Sequence, residues 1–282
     1  MTAPTVTVTT SIRTTRSEAN KGRAGHQLAA LVQRNLRTTA RVPQLLMFSL
    51  TMPMAMLILF SQVFRSVADG PDFPDGVTYV DFLTPAMLAI STVMAGTNVG
   101  VAAAIDHTNG LHDRFATLAM PRALPAVART INETVFTIGR AVLLVGAAAT
   151  LLSFRFHGNI VDALAGLIIL VVLASAMSAL FGAIGDRLRR PDVVQFAGMM
   201  LMMPLMFVSS AFAPLDTMPG WMRILAAINP VDRATRALRG HVLGTANAGD
   251  TISAVVAAIA GWTVVTVVPA VLRRRRIVRG RP

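Results

Sequence analysis

The chain contains no cysteine, so neither a disulfide framework nor a thiolate metal site can be part of it. Lysine is almost as scarce. Of the 26 basic residues one is lysine, Lys21, and the others are arginine. A phosphate-binding loop of the form G-x-x-x-x-G-K-[ST] needs a lysine behind its glycines to reach the terminal phosphoryl groups. Lys21 is followed by Gly22 in a stretch rich in Thr, Ser and Arg, so no such loop can be built, and if ATP drives this protein a separate subunit binds it. Charge is sparse as well: 14% of residues are charged, against about 25% in an average soluble domain. No Ser/His/Asp or paired-carboxylate arrangement stands out within any apolar run, and the sequence offers no active site.

What is present is long apolar runs. Six stretches of 21 to 24 residues are nearly free of charge: Val42–Phe64, Phe82–Ile105, Thr134–Phe154, Ala163–Gly185, Val193–Leu215 and Thr251–Leu272. Each is long enough to cross a hydrocarbon core, because ~20 residues at a rise of ~1.5 Å match a layer of ~30 Å. The one charge inside them is Arg140. With 54% of residues hydrophobic and a mean hydropathy of +0.59, the predicted class is an all-α membrane protein with six transmembrane helices.

The basic residues then set an orientation. With the N-terminus placed in the cytoplasm, 19 of the 26 lie inside, in residues 1–41, 106–131, 186–192 and 273–282. Six lie outside, namely Arg65, Arg155, Arg223, Arg233, Arg236 and Arg239, and the first external loop carries Asp69, Asp72 and Asp75. The reverse topology would violate the positive-inside rule, so both termini are expected in the cytoplasm. The net charge of +12 is accordingly a matter of membrane orientation and not of nucleic-acid binding.

Residues 1–25 have no apolar core and are expected to be a disordered cytoplasmic leader. From His26 to Arg41 the residues Leu28, Leu31, Val32 and Leu36 recur at helical spacing, with Arg34, Arg37 and Arg41 elsewhere around the wheel. An amphipathic basic helix of this kind can lie in the headgroup plane before the first span, the bland alternative being an ordinary solvated basic leader. Residues 273–282 form a basic cytoplasmic tail.

The stretch Asp106–Arg129, joining the second and third runs, has the composition of machinery. Asp106, Asp113, Arg114, Arg122 and Arg129 alternate in sign, Leu111, Phe115, Leu118 and Met120 supply apolar contacts, and Pro121 and Pro125 mark breaks. A short helix with an exposed aromatic flanked by charge suits docking into a groove on a partner protein, whereas its bland reading is a solvated connection.

At this point a family resemblance is visible. Tyr79–Thr130 resembles the second span and following loop of ABC type-2 exporter permeases, specifically the daunorubicin-resistance kind. The matching positions are Tyr79, Asp81, Phe82, Leu83, Pro85, Gly110, Arg114, Phe115, Leu118 and Met120. Ala86 and Ala119 depart from it, standing where the family usually has Gly and Pro. Asn229–Gly240, NPVDRATRALRG, is similar to the segment such permeases carry between spans five and six. The likeness covers roughly residues 26–272, which the resemblance makes one permease domain. It implies a permease subunit in the cell membrane that binds no cofactor itself and pairs with a second permease, identical or related. Two ATP-binding cassette subunits carry ATP and Mg. The loop residues Asp106, Gly110, Asp113, Arg114, Phe115, Leu118, Met120 and Arg122 would contact those ATPases, as would the basic entry helix.

Other residues carry weaker signals. Arg140 lies ~10 Å into its span and is close enough to an interface to snorkel, while Asn132 and Glu133 are expected to cap that span or complement its positive end. Gly96 and Gly100 form a close-packing pair beside Asn98. Met199, Met200, Met202, Met203 and Met206 surround Pro204 ahead of Ser209 and Ser210. Methionines fill gaps between helices or face varied hydrophobic ligands. Candidates for a substrate path are thus Asn98, Met199, Met202, Met206 and Ser209. Residues 216–250 read as two short external or re-entrant helices, with Arg233, Arg236 and Arg239 on a solvated surface or facing anionic headgroups. His107, His112 and Asp113 are too loosely spaced for a metal site. The leading expectation is the permease of an exporter moving a hydrophobic or amphipathic compound, a drug or a lipid, outward. The rivals are a membrane-embedded lipid-modifying enzyme and a nontransporting anchor or self-protection subunit that only recruits an ATPase.

Overall fold

A computed structural model describes residues 25–37, 43–64, 73, 76–110, 124–212 and 218–260. Nine helices and no strands occur among them. They are α1 (25–37), α2 (Pro43–Val63), α3 (Tyr79–Thr108), α4 (Leu124–Leu152), α5 (Ile160–Leu188), α6 (Pro191–Phe207), α7 (Gly220–Ile228), α8 (Pro230–Leu243) and α9 (Ala248–Ala260). Among the described residues α3, α4 and α5 are each long and apolar enough to cross a membrane. The apolar helices Ser49–Val63, Pro191–Phe207 and Ala248–Ala260 are shorter. The leader, the basic tail and the second half of the sixth apolar run lie outside the described residues.

The central element is α3, which packs against α2, α4, α5, α6 and α8. Its start is fixed by Thr78, whose hydroxyl accepts from the Asp81 amide while the Asp81 carboxylate accepts from the Thr78 amide. The reciprocal pair satisfies two amides that a bare helix start leaves open. Asn159 and Asp162 start α5 in the same way. Pro191, with no amide hydrogen to lose, opens α6.

The contact between α3 and α5 is backbone against backbone. A Cβ on Gly96 would come within 2.7 Å of the Met177 Cβ, and one on Gly100 within 2.6 Å of the Phe181 carbonyl oxygen. A Cβ on Gly185 would collide with the Gly100 carbonyl in turn. The small-residue pair expected to pack does so, and it locks α3 to α5 along two turns.

Two boundaries differ from the sequence expectation. The third apolar run begins at Thr134, yet its helix starts at Leu124. Asn132 and Glu133 therefore lie inside α4 and cap nothing. The fifth run extends to Leu215, but α6 stops at Phe207. The Asn229 side-chain amide donates to the Leu205 and Val208 carbonyls, 2.7 Å each, and Asp232 accepts from the Ser210 amide at 2.6 Å. These partners turn the chain out of the helix and satisfy its open backbone groups. Two short helices, α7 and α8, do follow, as expected between the fifth and sixth runs. α8 packs into the bundle against α3 and α5, and α7 rests on α8.

Candidate functional site

Polar chemistry gathers at the two ends of the bundle. At the end where α3 finishes (the Thr108 end), three helices bring four charged or titratable groups together. Arg129, in the second turn of α4, reaches Asp106 of α3 at 3.7 Å and Asp186 of α5 at 3.4 Å. His107 Nε2 lies 3.4 Å from the same Asp186 oxygen. Between Asp106 and Arg129 runs the connection 109–123. Gly110 takes φ +65°, a conformation that a side chain resists, and its amide donates to the His107 carbonyl at 3.2 Å. That gives the matching glycine of the loop pattern a physical reason. Asp113, Arg114, Phe115, Leu118, Met120 and Arg122 lie outside the described residues, as does His112.

At the opposite end, where α3 begins (the Tyr79 end), Arg239 of α8 is half-buried. Its guanidinium carbon stacks 3.5 Å from the centroid of the Phe82 ring. Nε donates to the Phe82 carbonyl at 3.1 Å and Nη2 to the Ser210 carbonyl at 2.8 Å. Burial pushes its pKa down to about 9, opposed by the Asp232 carboxylate. The group therefore stays charged at neutral pH. Asp232 is 0% exposed and pairs with Arg236 at 3.0 Å. Arg233 Nε donates to the Ala227 carbonyl at 2.8 Å. Arg239 thus departs from the expected solvated row, while Arg233 and Arg236 stay partly exposed. The three arginines share one helix, but the partners of Arg239 are 157 and 29 residues away.

Three further ties close the same end. Asp81 accepts from the Arg155 amide at 2.8 Å. The Tyr79 hydroxyl donates to the Phe212 carbonyl at 3.0 Å. His241 bridges Asp162, 2.9 Å from Nδ1, and Thr251, 3.0 Å from Nε2, joining α8 to the starts of α5 and α9. Phe60, Phe64, Phe73, Tyr79, Phe82 and Phe212 form a continuous ring cluster with centroids 5.0 to 6.3 Å apart. Beside it, a cleft of about 670 Å³ opens between the ends of α2, α3 and α4, lined by Ser61, Gln62, Thr78, Leu151, Leu152 and Ser153 among others.

Between the ends, α4 carries a buried polar ladder. Arg140 Nη2 donates to Glu133, and to Thr137 at 2.9 Å, and Thr137 donates to Glu133 at 3.3 Å. Arg140 is buried and pairs within its own helix instead of snorkelling as expected. The spacing i, i+4, i+7 is the signal that would have found it.

The path candidates divide. Met202 and Met206 pack against the core and Ser209 is fully buried, donating to the Met206 carbonyl at 2.9 Å. Asn98 and Met199 face outward. In α1, Leu28, Leu31, Val32 and Leu36 share the less exposed side, while Arg34 and Arg37 are exposed. Arg41 lies outside the described residues.

These elements define a polytopic α-helical membrane protein whose polar groups knit helices together. Comparison with known proteins is more specific. The family model "ABC-2 type transporter" matches residues 26–243, and the chain belongs to that family. It is a transport permease. It is similar to the daunorubicin resistance ABC transporter permease protein DrrB1 of Streptomyces coeruleorubidus, 29% identical over 203 residues, 71% of this chain and 69% of that one. A probable doxorubicin resistance ABC transporter permease protein, DrrC of Mycobacterium tuberculosis, is 23% identical over 232 residues, 81% of this chain and 80% of its own. A putative transport permease, ycf38 of Porphyra purpurea, is 25% identical over 218 residues, 76% of this chain and 72% of its own.

Proposed function

We propose that this chain is the membrane-spanning subunit of an ATP-driven exporter that moves a hydrophobic or amphipathic compound out across the cell membrane. The observation that carries this is the family match over 26–243 in a chain whose one lysine lies outside any phosphate loop. The ATP and Mg therefore belong to a separate cassette ATPase, two copies of which serve a pair of permeases. The names of two relatives, daunorubicin and doxorubicin resistance permeases, favour a drug as the compound.

On this reading the chain has six spans with both termini in the cytoplasm, which the distribution of arginines supports. The Thr108 end is then cytoplasmic and the Tyr79 end external. The connection 109–123 and α1 contact the ATPases. Closure of the ATPase pair shifts the bundle between two states, which requires contacts that differ between those states. Met202, Met206 and Ser209 are the path candidates that face the bundle interior.

The test is to purify the tagged chain from membranes in mild detergent. Co-purification of a protein with a nucleotide-binding loop, whose ATP hydrolysis rises with added amphipathic compounds, is the expected result. Isolation of the chain alone, under conditions that preserve comparable complexes, would refute it. Phe115→Ala is expected to lower transport while leaving membrane insertion unchanged, measured by drug accumulation in cells and by membrane immunoblot.

A further inference from the structure

The Thr108 end contains a joint. α3 and α5 are interlocked by the glycine contacts at Gly96, Gly100 and Gly185, so they move as one body. The connection 109–123 leaves that body at Asn109 and enters α4 at Leu124. Near the Tyr79 end α4 is held by apolar packing through Ala141, Leu144 and Ala148. Near the connection, charged contact between α4 and the locked pair runs through Arg129, which reaches Asp106 on one partner helix and Asp186 on the other. A guanidinium suits this place because its fork of donors can address two carboxylates at once.

We infer that Arg129 is the positioning residue that couples the entry of α4 to the α3–α5 body, so that a push on 109–123 moves the three helices together. The inference rests on the reading of that connection as the ATPase contact. The pairs at Arg129 are partly solvated, with Asp106 32% and Asp186 36% exposed. Ion pairs of that kind are individually weak. They can therefore exchange between two arrangements within one transport cycle without unfolding the bundle.

The absence of native cysteine allows the joint to be read directly. Cysteines placed at Val127 and Leu188, which are 43% and 42% exposed on α4 and α5, would carry spin labels. The labelled chain is diluted into an excess of unlabelled chain so that distances within one copy are measured. A narrow distance distribution is expected in the parent. Arg129→Ala should broaden it, and Arg129→Asp combined with Asp186→Arg should narrow it again.

In proteoliposomes with the ATPase partner, Arg129→Ala should lower transport roughly tenfold with ATP hydrolysis and complex formation retained, and the charge swap should recover transport. An unchanged distribution in Arg129→Ala overturns the inference. So does a broadened distribution with undiminished transport, or a loss of the complex along with transport. A parent chain that binds no ATPase would instead refute the functional reading, while the distance measurement would still decide whether Arg129 is the joint.

Discussion

The two ends of this bundle are held by different chemistry. At the Tyr79 end the fastening groups are buried carboxylates that accept backbone amides: Asp232, 0% exposed, and Asp81, 1% exposed, at 2.6 and 2.8 Å. A half-buried guanidinium stacked on an aromatic ring joins them. At the Thr108 end the carboxylates are about one-third exposed and meet their partners at 3.4 to 3.7 Å. Removing one partner of a buried pair costs about 3–5 kcal/mol, whereas a solvated pair contributes about 0–1 kcal/mol. The first end is fixed and the second is yielding. On the proposed reading, in which the connection 109–123 meets the ATPases, the yielding end is the one that receives force and the other holds its shape.

The strongest way to break the contrast is to remove the shaft between the ends. Gly100→Leu would drive a side chain into the Phe181 carbonyl and Val194. Overpacking of that size should cost more than about 3 kcal/mol. The expected result is aggregation on size exclusion instead of a single detergent-solubilised peak, and a normal peak would mean that α3 and α5 are not locked. Asp232→Ala comes next. It strands the Ser210 amide and leaves Arg236 without its buried partner, for a loss of about 3 kcal/mol, read as a lowered melting temperature in detergent. Smallest is Asp186→Ala at the yielding end, expected to lower stability by less than about 1 kcal/mol. If its melting temperature fell as far as that of Asp232→Ala, the contrast between the ends would be wrong.

Much of this arrangement was legible beforehand because membrane spans announce themselves by composition. The runs around α3 and α5 predicted both helices to within three residues at each end, and Gly96 with Gly100 predicted the close contact. Boundaries failed where polar partners from distant sequence intervened. α6 ends early because Asn229 and Asp232 reach back to it, and nothing within Val193–Leu215 signals that. Arg239 was misread for the same reason. An arginine among apolar and small neighbours looks like surface until Phe82 and Ser210 are brought beside it. Asp106 and Arg129 were recognised as charges of opposite sign, but the third member, Asp186, sits 57 residues from Arg129 and only the packing of α5 delivers it. The path candidates were chosen by residue type alone, which cannot distinguish Met202, packed against the core, from Met199, 59% exposed less than one turn earlier.

The ladder Glu133–Thr137–Arg140 has a consequence for biogenesis. All three groups belong to α4 and lie ~14 to ~24 Å from its first residue by helix rise. A charge pair shared between two spans could neutralise only after both had been synthesised and had met. Here the carboxylate and the guanidinium find each other as soon as their own helix winds. The two charges deepest in α4 can therefore leave the insertion machinery already matched to each other, before any neighbouring span is available to receive them.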